Sequence, residues 1–523
     1  MNQLRESWQQ LDRRNFAKNL LGLSVSLSHL SPMIKRRLPL VLLSLMAVLP
    51  MASAADSPNL VIIYTDEHNF RTLGCYRDQL SDAESCVWGG GVKVDTPHID
   101  SIARDGTLLT SFYAATPVCA PSRASLLSGL YPHATGVPQN DMPMNDDVLT
   151  FAQVLKGKGY ATSYLGKWHL DGNAKPGWAP SRKFGFEDNA YMYNRGHYKR
   201  FVDTPNGPKV GAVDKKGLPS YGLNGADEKS YATDFLMDRS IDFIRANKDK
   251  PFCVMMSLPD PHGPNTVRAP YDTRFKHLEF ESPKTMFKSA SQTPAWVSQK
   301  SSNYIWAQAL KQQSMANYFG MVQLIDDNVG KLLSFLKEND LEKDTIVVFT
   351  SDHGDLMGEH RLHNKGLPYE TSACVAFIVK YPKAVVPSKV IRSAMTTADF
   401  APTMMGLMGF KGTLPAAHGV DLADEFRDKK PETNTDRIVY IRSTEYDSRW
   451  VAAVSDRYKL VLSSEDDPWL FDLEKDPEEL VNYASDPEYA AIRKNLTQSM
   501  VEQMRASNDP VLKIDAYKKW LGR

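Results

Sequence analysis

The sequence predicts an α/β protein: a large, mostly parallel sheet sandwiched by helices, followed by a smaller C-terminal domain of short antiparallel strands and a helix. Three observations predict it. Apolar runs without alternation recur along most of the chain, as expected of strands buried on both faces. Segments with apolar residues at helical spacing separate them, and that regular alternation favours a sheet covered by helices on both sides. Around Arg427 to Asn434 the composition turns charged and proline-containing, and short strand-like segments close together follow it.

Asn59-Leu60-Val61-Ile62-Ile63-Tyr64-Thr65 is the first such run and ends in Asp66-Glu67, the pattern of a central strand. Similar runs stand at Ala161 to Leu165, Phe252 to Leu258, Thr345 to Thr350 and Val375 to Val379. Helical spacing marks Leu149 to Lys156, Asp234 to Arg245 and Tyr318 to Leu336. Sheets of this class collect their chemistry at the carboxyl ends of the strands. Asp66, Lys167, His262 and Asp352 each lie just past a strand end, so they are expected on one edge. Thr204 to Ser230, rich in glycine and lysine, reads as a long surface loop, and Ala269 to Ser302 as a second irregular segment. In the last part, Arg437 to Ile441, Trp450 to Val454, Lys459 to Leu462 and Trp469 to Asp472 read as strands, with a helix over Pro487 to Arg505. The expected domains are therefore 56–430 and 431–523.

The 523 residues are 42% hydrophobic and 24% charged, as in an ordinary globular protein. The formal net charge of zero hides an asymmetry. Residues 1–54 hold seven basic and two acidic residues; removing them from 62 and 62 leaves 55 against 60, a net of −5. That balance argues against a nucleic-acid partner, and an anionic substrate must be met by local positive charge. Met33-Ile34-Lys35-Arg36-Arg37, the apolar run Leu38 to Leu49 and Ala52-Ser53-Ala54 read as a secretory signal over 33–54 within an export region 1–54. The run is shorter than the roughly 20 residues of a membrane span, so the expectation is a periplasmic or secreted protein without stable membrane insertion. Arg13-Arg14-Asn15-Phe16-Ala17-Lys18 resembles a twin-arginine motif, and the choice between the two starts stays open. Of five cysteines, Cys253 and Cys374 sit in strand-like runs, and Cys75 and Cys86 flank a polar loop and could form a disulfide.

The fifth, Cys119, opens the segment Cys119-Ala120-Pro121-Ser122-Arg123, which continues through Ser125-Leu126-Leu127-Ser128-Gly129 to Tyr131-Pro132-His133-Ala134-Thr135-Gly136. Alone, it also fits a buried thiol at a helix start, where proline and serine are favoured. Further stations follow in order: Gly166-Lys167-Trp168-His169, Pro259-Asp260-Pro261-His262-Gly263-Pro264, Asp352-His353, and His363-Asn364-Lys365-Gly366-Leu367-Pro368-Tyr369-Glu370. Near the end, Trp469-Leu470-Phe471-Asp472-Leu473-Glu474-Lys475-Asp476-Pro477-Glu478-Glu479-Leu480 completes the pattern. From about Asn59 to the last helix the chain resembles the type I, formylglycine-dependent sulfatases of the alkaline-phosphatase-like superfamily.

The resemblance implies an exported sulfuric ester hydrolase. In that family a maturase oxidises the cysteine, here Cys119, to an aldehyde whose hydrate displaces an alcohol at sulfur; sulfate is then eliminated. It implies one divalent cation, calcium, held by Asp66, Glu67, Asp352, His353 and the group at 119. Many members carry aspartate where Glu67 stands and asparagine where His353 stands, and a nitrogen ligand suits manganese or another transition ion better than calcium. Lys167 and Arg123, the latter one helical turn from Cys119, would offset charge on the sulfate oxygens. His169 would handle the hydrate proton, and His262 with Lys365 would help the leaving oxygen depart. His360 and His363 are further candidates near the rim. The expected substrate is a sulfated carbohydrate from an algal or glycosaminoglycan polymer. Two alternatives stand beside this: a phosphonate or phosphate ester hydrolase of the same superfamily, and a catalytically silent binder of sulfated glycans with unmodified Cys119.

Overall fold

A computed structural model describes residues 57–298, 301–428, 436–444 and 449–521. The expected export region and most of the expected domain boundary lie outside the described residues. Residues 57–523 form one compact unit. Its strands, in chain order, are β1 (Asn59–Asp66), β2 (Thr107–Leu109), β3 (Phe112–Tyr113), β4 (Ala161–Lys167), β5 (Met192–Tyr193), β6 (Phe201–Thr204), β7 (Gly207–Val210), β8 (Phe252–Pro261), β9 (Thr345–Ser351), β10 (Phe377–Lys380), β11 (Lys389–Ile391), β12 (Met395–Thr396), β13 (Val439–Arg442), β14 (Trp450–Val454), β15 (Tyr458–Ser463) and β16 (Trp469–Asp472). The principal helices are α1 (Pro97–Arg104), α2 (Cys119–Ser128), α3 (Phe151–Gly157), α4 (Ala232–Asn247), α5 (Gln312–Glu338), α6 (Thr397–Leu407) and α7 (Ala490–Ala506).

The main sheet runs β11-β2-β10-β9-β1-β8-β4-β5. β10 alone runs against its neighbours, so the sheet is mixed but mostly parallel. Every residue of β1 is buried, and its side chains divide by the strand period of two. Val61 and Ile63 join Val254, Met256, Val347 and Phe349 in a core covered by α1, α4 and α5. Leu60, Ile62 and Tyr64 join Cys253, Met255, Ile346 and Val348 in a core covered by α2, α3 and α6. Each such side chain contributes about 1.5–3 kcal/mol by leaving water, which is why the unbroken apolar runs of the sequence become central strands.

The helices begin and face as their sequences dictate. α3 opens on a reciprocal cap, with the Gln153 amide donating to Thr150 Oγ1 at 3.2 Å and the Thr150 amide to Gln153 Oε1 at 2.9 Å. In α5, Met315, Tyr318, Val322, Ile325, Val329, Leu332 and Leu336 are buried at steps of three and four.

The four strands β13-β14-β15-β16 form a separate antiparallel sheet. Helix α7 lays Leu496, Met500, Val501 and Met504 on it. Tyr131 and Tyr440 stack with centroids 4.1 Å apart, joining this sheet to the segment after α2.

Two expectations are corrected here. The stretch read as a long loop, Thr204 to Ser230, begins at the end of β6 and contains the turn and second strand of the β6–β7 hairpin, closed by Pro205-Asn206 with Gly207 at φ 97°, a turn signal embedded in a polar context. Cys75 and Cys86 are free thiols. Cys75 sits in the turn Gly74–Arg77 with its amide donating to Asp100 Oδ1, while Cys86 caps the turn Asp82–Ser85, so local hydrogen bonds fix them on separate elements.

Candidate active site

The strands β9, β1, β8 and β4 are parallel neighbours, so their carboxyl ends share one edge. Asp66 closes β1, Lys167 closes β4, Asp352 follows β9 and His262 follows β8. Gly166 makes the approach possible: at φ 99° a Cβ there would stand 1.9 Å from the Ser257 carbonyl oxygen.

Cys119 is the first residue of α2 and 2% exposed. Val118 before it is extended, and the Ala120 amide donates to Asn140 Oδ1 at 2.9 Å. The missing N–H of Pro121 falls in the first turn, where backbone donors have no helical partner. The thiol thus sits at the positive end of a helix dipole. Its Sγ is 3.2 Å from His353 Nε2 and 3.9 Å from Asp66 Oδ1. Burial pushes the thiol up, but Lys167, Lys365 and His353 outweigh it and hold its pKa well below the ordinary value.

One ligand atom from each of Asp66, Cys119, Asp352 and His353 lies within 4.8 Å of the others, and all four residues are buried. Their orientation is fixed from behind. Asp352 Oδ1 accepts the amides of Glu67 at 3.1 Å and His353 at 2.9 Å. His353 Nδ1 is 2.9 Å from the Gly354 carbonyl, which assigns it as a donor and leaves Nε2 for the centre. Arg123 spends every donor on the protein: Nε on Asp352 at 3.0 Å, Nη2 on Asp66 at 3.2 Å and Asp352 at 2.8 Å, Nη1 on the Lys167 carbonyl at 2.7 Å and Ser257 Oγ at 2.6 Å. Burial opposes ionisation of Asp66, and Lys167 overcomes it, holding its carboxyl below the usual range. Burial likewise opposes charge on His353, yet Asp352 and the thiol push it up to about 9. Two carboxylates, one free imidazole nitrogen and a fourth group converging in a buried space fit a divalent cation by donor chemistry.

A second layer lies outside this one. Lys167 donates to Asp66 Oδ2 at 2.5 Å and to His197 Nε2 at 2.7 Å. His197 stacks on His262 at 3.5 Å and 8°. Lys365 donates to His262 Nε2 at 2.8 Å and Glu67 Oε1 at 2.9 Å, and Glu67 Oε2 stands 3.0 Å from the same His262 nitrogen. Burial drives the Glu67 carboxyl up to about 8 against the pull of Lys365, and burial, His197 and Lys365 hold His262 well below its ordinary value. The side chains of His197, His262 and Lys365 are 20%, 14% and 15% exposed where Asp66 is 0%, so this layer meets what enters from solvent. To one side, His169 Nε2 is 3.1 Å from Asp141 Oδ1, Asp141 pairs with Arg195 at 2.9 Å, and His169 Nδ1 is buried without a hydrogen-bond partner.

A buried cysteine at a helix start, an acidic cluster and an outer layer of lysines and histidines form one constellation. A family model described as Sulfatase matches residues 58–410, two thirds of the chain. The chain belongs to the sulfatase family. A second model, described as the C-terminal part of N-sulphoglucosamine sulphohydrolase, matches residues 358–506. An ulvan-active sulfatase of Formosa agariphila is 26% identical over 88% of this chain and 84% of its own. An N-acetylglucosamine-6-O-sulfatase of Bacteroides thetaiotaomicron is 26% identical over 90% and 91%. The solved structure of BT4656 with its substrate D-glucosamine-2-N,6-O-disulfate shares the fold, with a TM-score of 0.69 and 24% identity over 88% of this chain and all of its own. The phosphonate monoester hydrolase of Agrobacterium radiobacter shares it at a TM-score of 0.62 and 22% identity over 86% and 96%. The protein is accordingly a sulfuric ester hydrolase.

All ten residues read from the sequence converge on this sulfatase site, with two changes of place. Glu67, expected among the cation ligands, stands outside the four-residue cluster: its backbone is at φ 61°, and Lys365 and His262 hold its longer side chain. Arg123, expected against sulfate, has its donors committed to the two carboxylates and β4. His360 is buried and stacked on Tyr369 at 3.5 Å, while His363 is exposed. Sequence reasoning missed His197 and Asp141. His197 follows β5, a two-residue strand too short to show a period, and the preceding Gly196 at φ 121° was its only local signal.

Proposed function

We propose that this sulfatase is exported and removes sulfate from a sulfated carbohydrate, using formylglycine made from Cys119 by a maturase and one divalent cation held by Asp66, Asp352 and His353. The observation that carries the reading is the placement of Cys119 Sγ 3.2 Å from His353 Nε2 and 3.9 Å from Asp66 Oδ1, beneath the layer of Lys167, His197, His262 and Lys365. Formylglycine supplies an oxygen nucleophile at position 119, and the cation, calcium with manganese as the nearest rival, supplies electrostatic polarisation there.

The chain's own residues divide the remaining work. Arg123 bridges Asp66 and Asp352 and offsets their charge. Lys167 meets the sulfate oxygens, where fixed positive charge is worth most as charge develops, and His197, held neutral by burial and Lys167, offers them its Nδ1–H. His169, oriented by Asp141, takes and returns the proton of the hydroxyl at 119. Lys365 and His262, coupled through Glu67, hold a proton for the leaving oxygen. That acid matters for sugars because their alkoxides leave poorly. The carbohydrate class is supported by relatives that act on ulvan and on N-acetylglucosamine 6-sulfate. The export segment proposed is 33–54, outside the described residues.

The test is sulfate release by protein co-expressed with a maturase, across an aryl sulfate, an aryl phosphonate and defined sulfated oligosaccharides. Release from a sulfated sugar is expected. A large preference for the phosphonate overturns the proposal in favour of a phosphonate ester hydrolase, and tight glycan binding without any release overturns it in favour of a binder.

A further inference from the structure

A second cationic cavity lies beside the segment that carries Lys365. It measures about 430 Å³ and is lined by Lys288, Tyr304, His360 and Arg361 among others. Lys288 donates to Tyr369 Oη at 2.8 Å and to His360 Nδ1 at 3.2 Å, both neutral partners, since burial and neighbouring cations hold His360 well below its ordinary pKa. An ammonium has three donors, so one remains for a ligand. The acidic group that acts on Lys288, Glu479, is already bonded to Lys459 at 2.8 Å. Burial holds Lys288 down to about 7, a cost that a bound anion would relieve.

The backbone around it is strained and held. His360 and Arg361 are consecutive non-glycine residues at φ 53° and 66°, fixed by Thr285 Oγ1 on the His360 amide at 3.1 Å and by the Ile305 amide on the Arg361 carbonyl at 2.9 Å. Such paired strain is typical of ligand clamps. Aromatic surface adjoins it: Trp306 is 69% exposed and lies 4.8 Å from Tyr304, and Phe287, next to Lys288, is 55% exposed.

The same segment serves both cavities. The His363 amide donates to the Asn303 carbonyl at 2.9 Å and Asn364 Nδ2 to Asn303 Oδ1 at 2.7 Å, immediately before Lys365 enters the active site. Four Cα steps of 3.8 Å place the Arg361 and Lys365 backbones no more than about 15 Å apart, a separation that a short oligosaccharide spans.

We propose that this cavity is a second subsite that binds an anionic group, sulfate or carboxylate, on another sugar of the chain whose scissile sulfate occupies the Cys119 site, with Trp306 stacking on the intervening sugar. The enzyme then recognises an acidic polysaccharide over more than one residue. This rests on the reading as a carbohydrate sulfatase, and the test separates the two. Binding is measured by calorimetry on full-length Cys119→Ala protein, which cannot turn over, with a heparin-derived tetrasaccharide, a galacturonate tetramer and neutral cellotetraose. Lys288→Met is expected to weaken the heparin-derived probe about tenfold and Trp306→Ala, at an exposed position that does not endanger folding, severalfold; cellotetraose binds far more weakly throughout. Loss on the galacturonate tetramer as well identifies a carboxylate as sufficient, whereas loss on the sulfated probe alone identifies sulfate. Unchanged affinity in Lys288→Met, no binding of either acidic probe, or equal binding of cellotetraose overturns the inference. Aryl sulfate hydrolysis by matured protein with Cys119 intact reports separately on the proposed function.

Discussion

Arg123 is the residue whose removal should be felt most in stability. It is 1% exposed and lies between Asp66 and Asp352, each with a side chain that is 0% exposed. Replacing it by methionine keeps most of its volume but leaves two buried carboxylates with Lys167 as their principal cation, while the Lys167 carbonyl still accepts from Tyr164 Oη at 2.6 Å and Ser257 Oγ at 2.7 Å. Breaking a buried ion pair by removing one partner costs about 3–5 kcal/mol. Neutralisation of one carboxylate absorbs part of this, so the expected loss is about 3 kcal/mol. The assay is urea unfolding of Arg123→Met against wild type in chelator, so that cation binding does not enter the comparison, with the slope checked for equality. Asp352→Asn in the Arg123→Met background should recover a large share of the loss, because the uncompensated charge goes with it. A loss below about 1 kcal/mol, or no recovery in the double variant, would refute the assignment of Arg123 as the counter-ion of the acidic cluster.

Lys365→Ala should lower turnover of an alkyl sulfate about a hundredfold and that of an aryl sulfate with a good leaving group much less; equal losses would remove it from leaving-group assistance. Asp141→Asn should reduce kcat about tenfold with KM little changed, measured on the same aryl sulfate, since Asp141 only orients His169. Chelation should abolish activity and lower the unfolding midpoint, and re-addition of cation at a hundred times its Kd should restore about 2.7 kcal/mol. Gly166→Ala should cost about 3 kcal/mol or prevent folding, because the new methyl meets the Ser257 carbonyl at 1.9 Å.

Much of this architecture could be read from the sequence because its signals are local. The runs ending at Thr65, Leu258 and Thr350 became β1, β8 and β9 since burial on both faces demands unbroken apolar sequence. Strand-end positions then located Asp66, Lys167, His262 and Asp352 on one edge without any knowledge of distance. What failed depended on tertiary partners. Glu67 reads as a ligand beside Asp66, but Lys365, 298 positions away, claims its carboxylate. Arg123 reads as a sulfate contact by its spacing from Cys119, but Asp352, 229 positions away, takes its Nε. His197, the partner stacked on His262, and the β6–β7 hairpin were hidden because two- and four-residue strands carry no period. The Cys75 and Cys86 thiols look pairable by spacing alone, and only their separate hydrogen-bonded turns decide otherwise.

The central claim is that the side chain at 119 must be converted before sulfate can be released. Its most direct measurement is the converted fraction of the Cys119 peptide by mass spectrometry, titrated through graded maturase expression, against sulfate release by the same preparations. The account predicts a line through the origin, with Cys119→Ala inactive at every level. Sulfate release from protein whose Cys119 is wholly an unmodified thiol would contradict it.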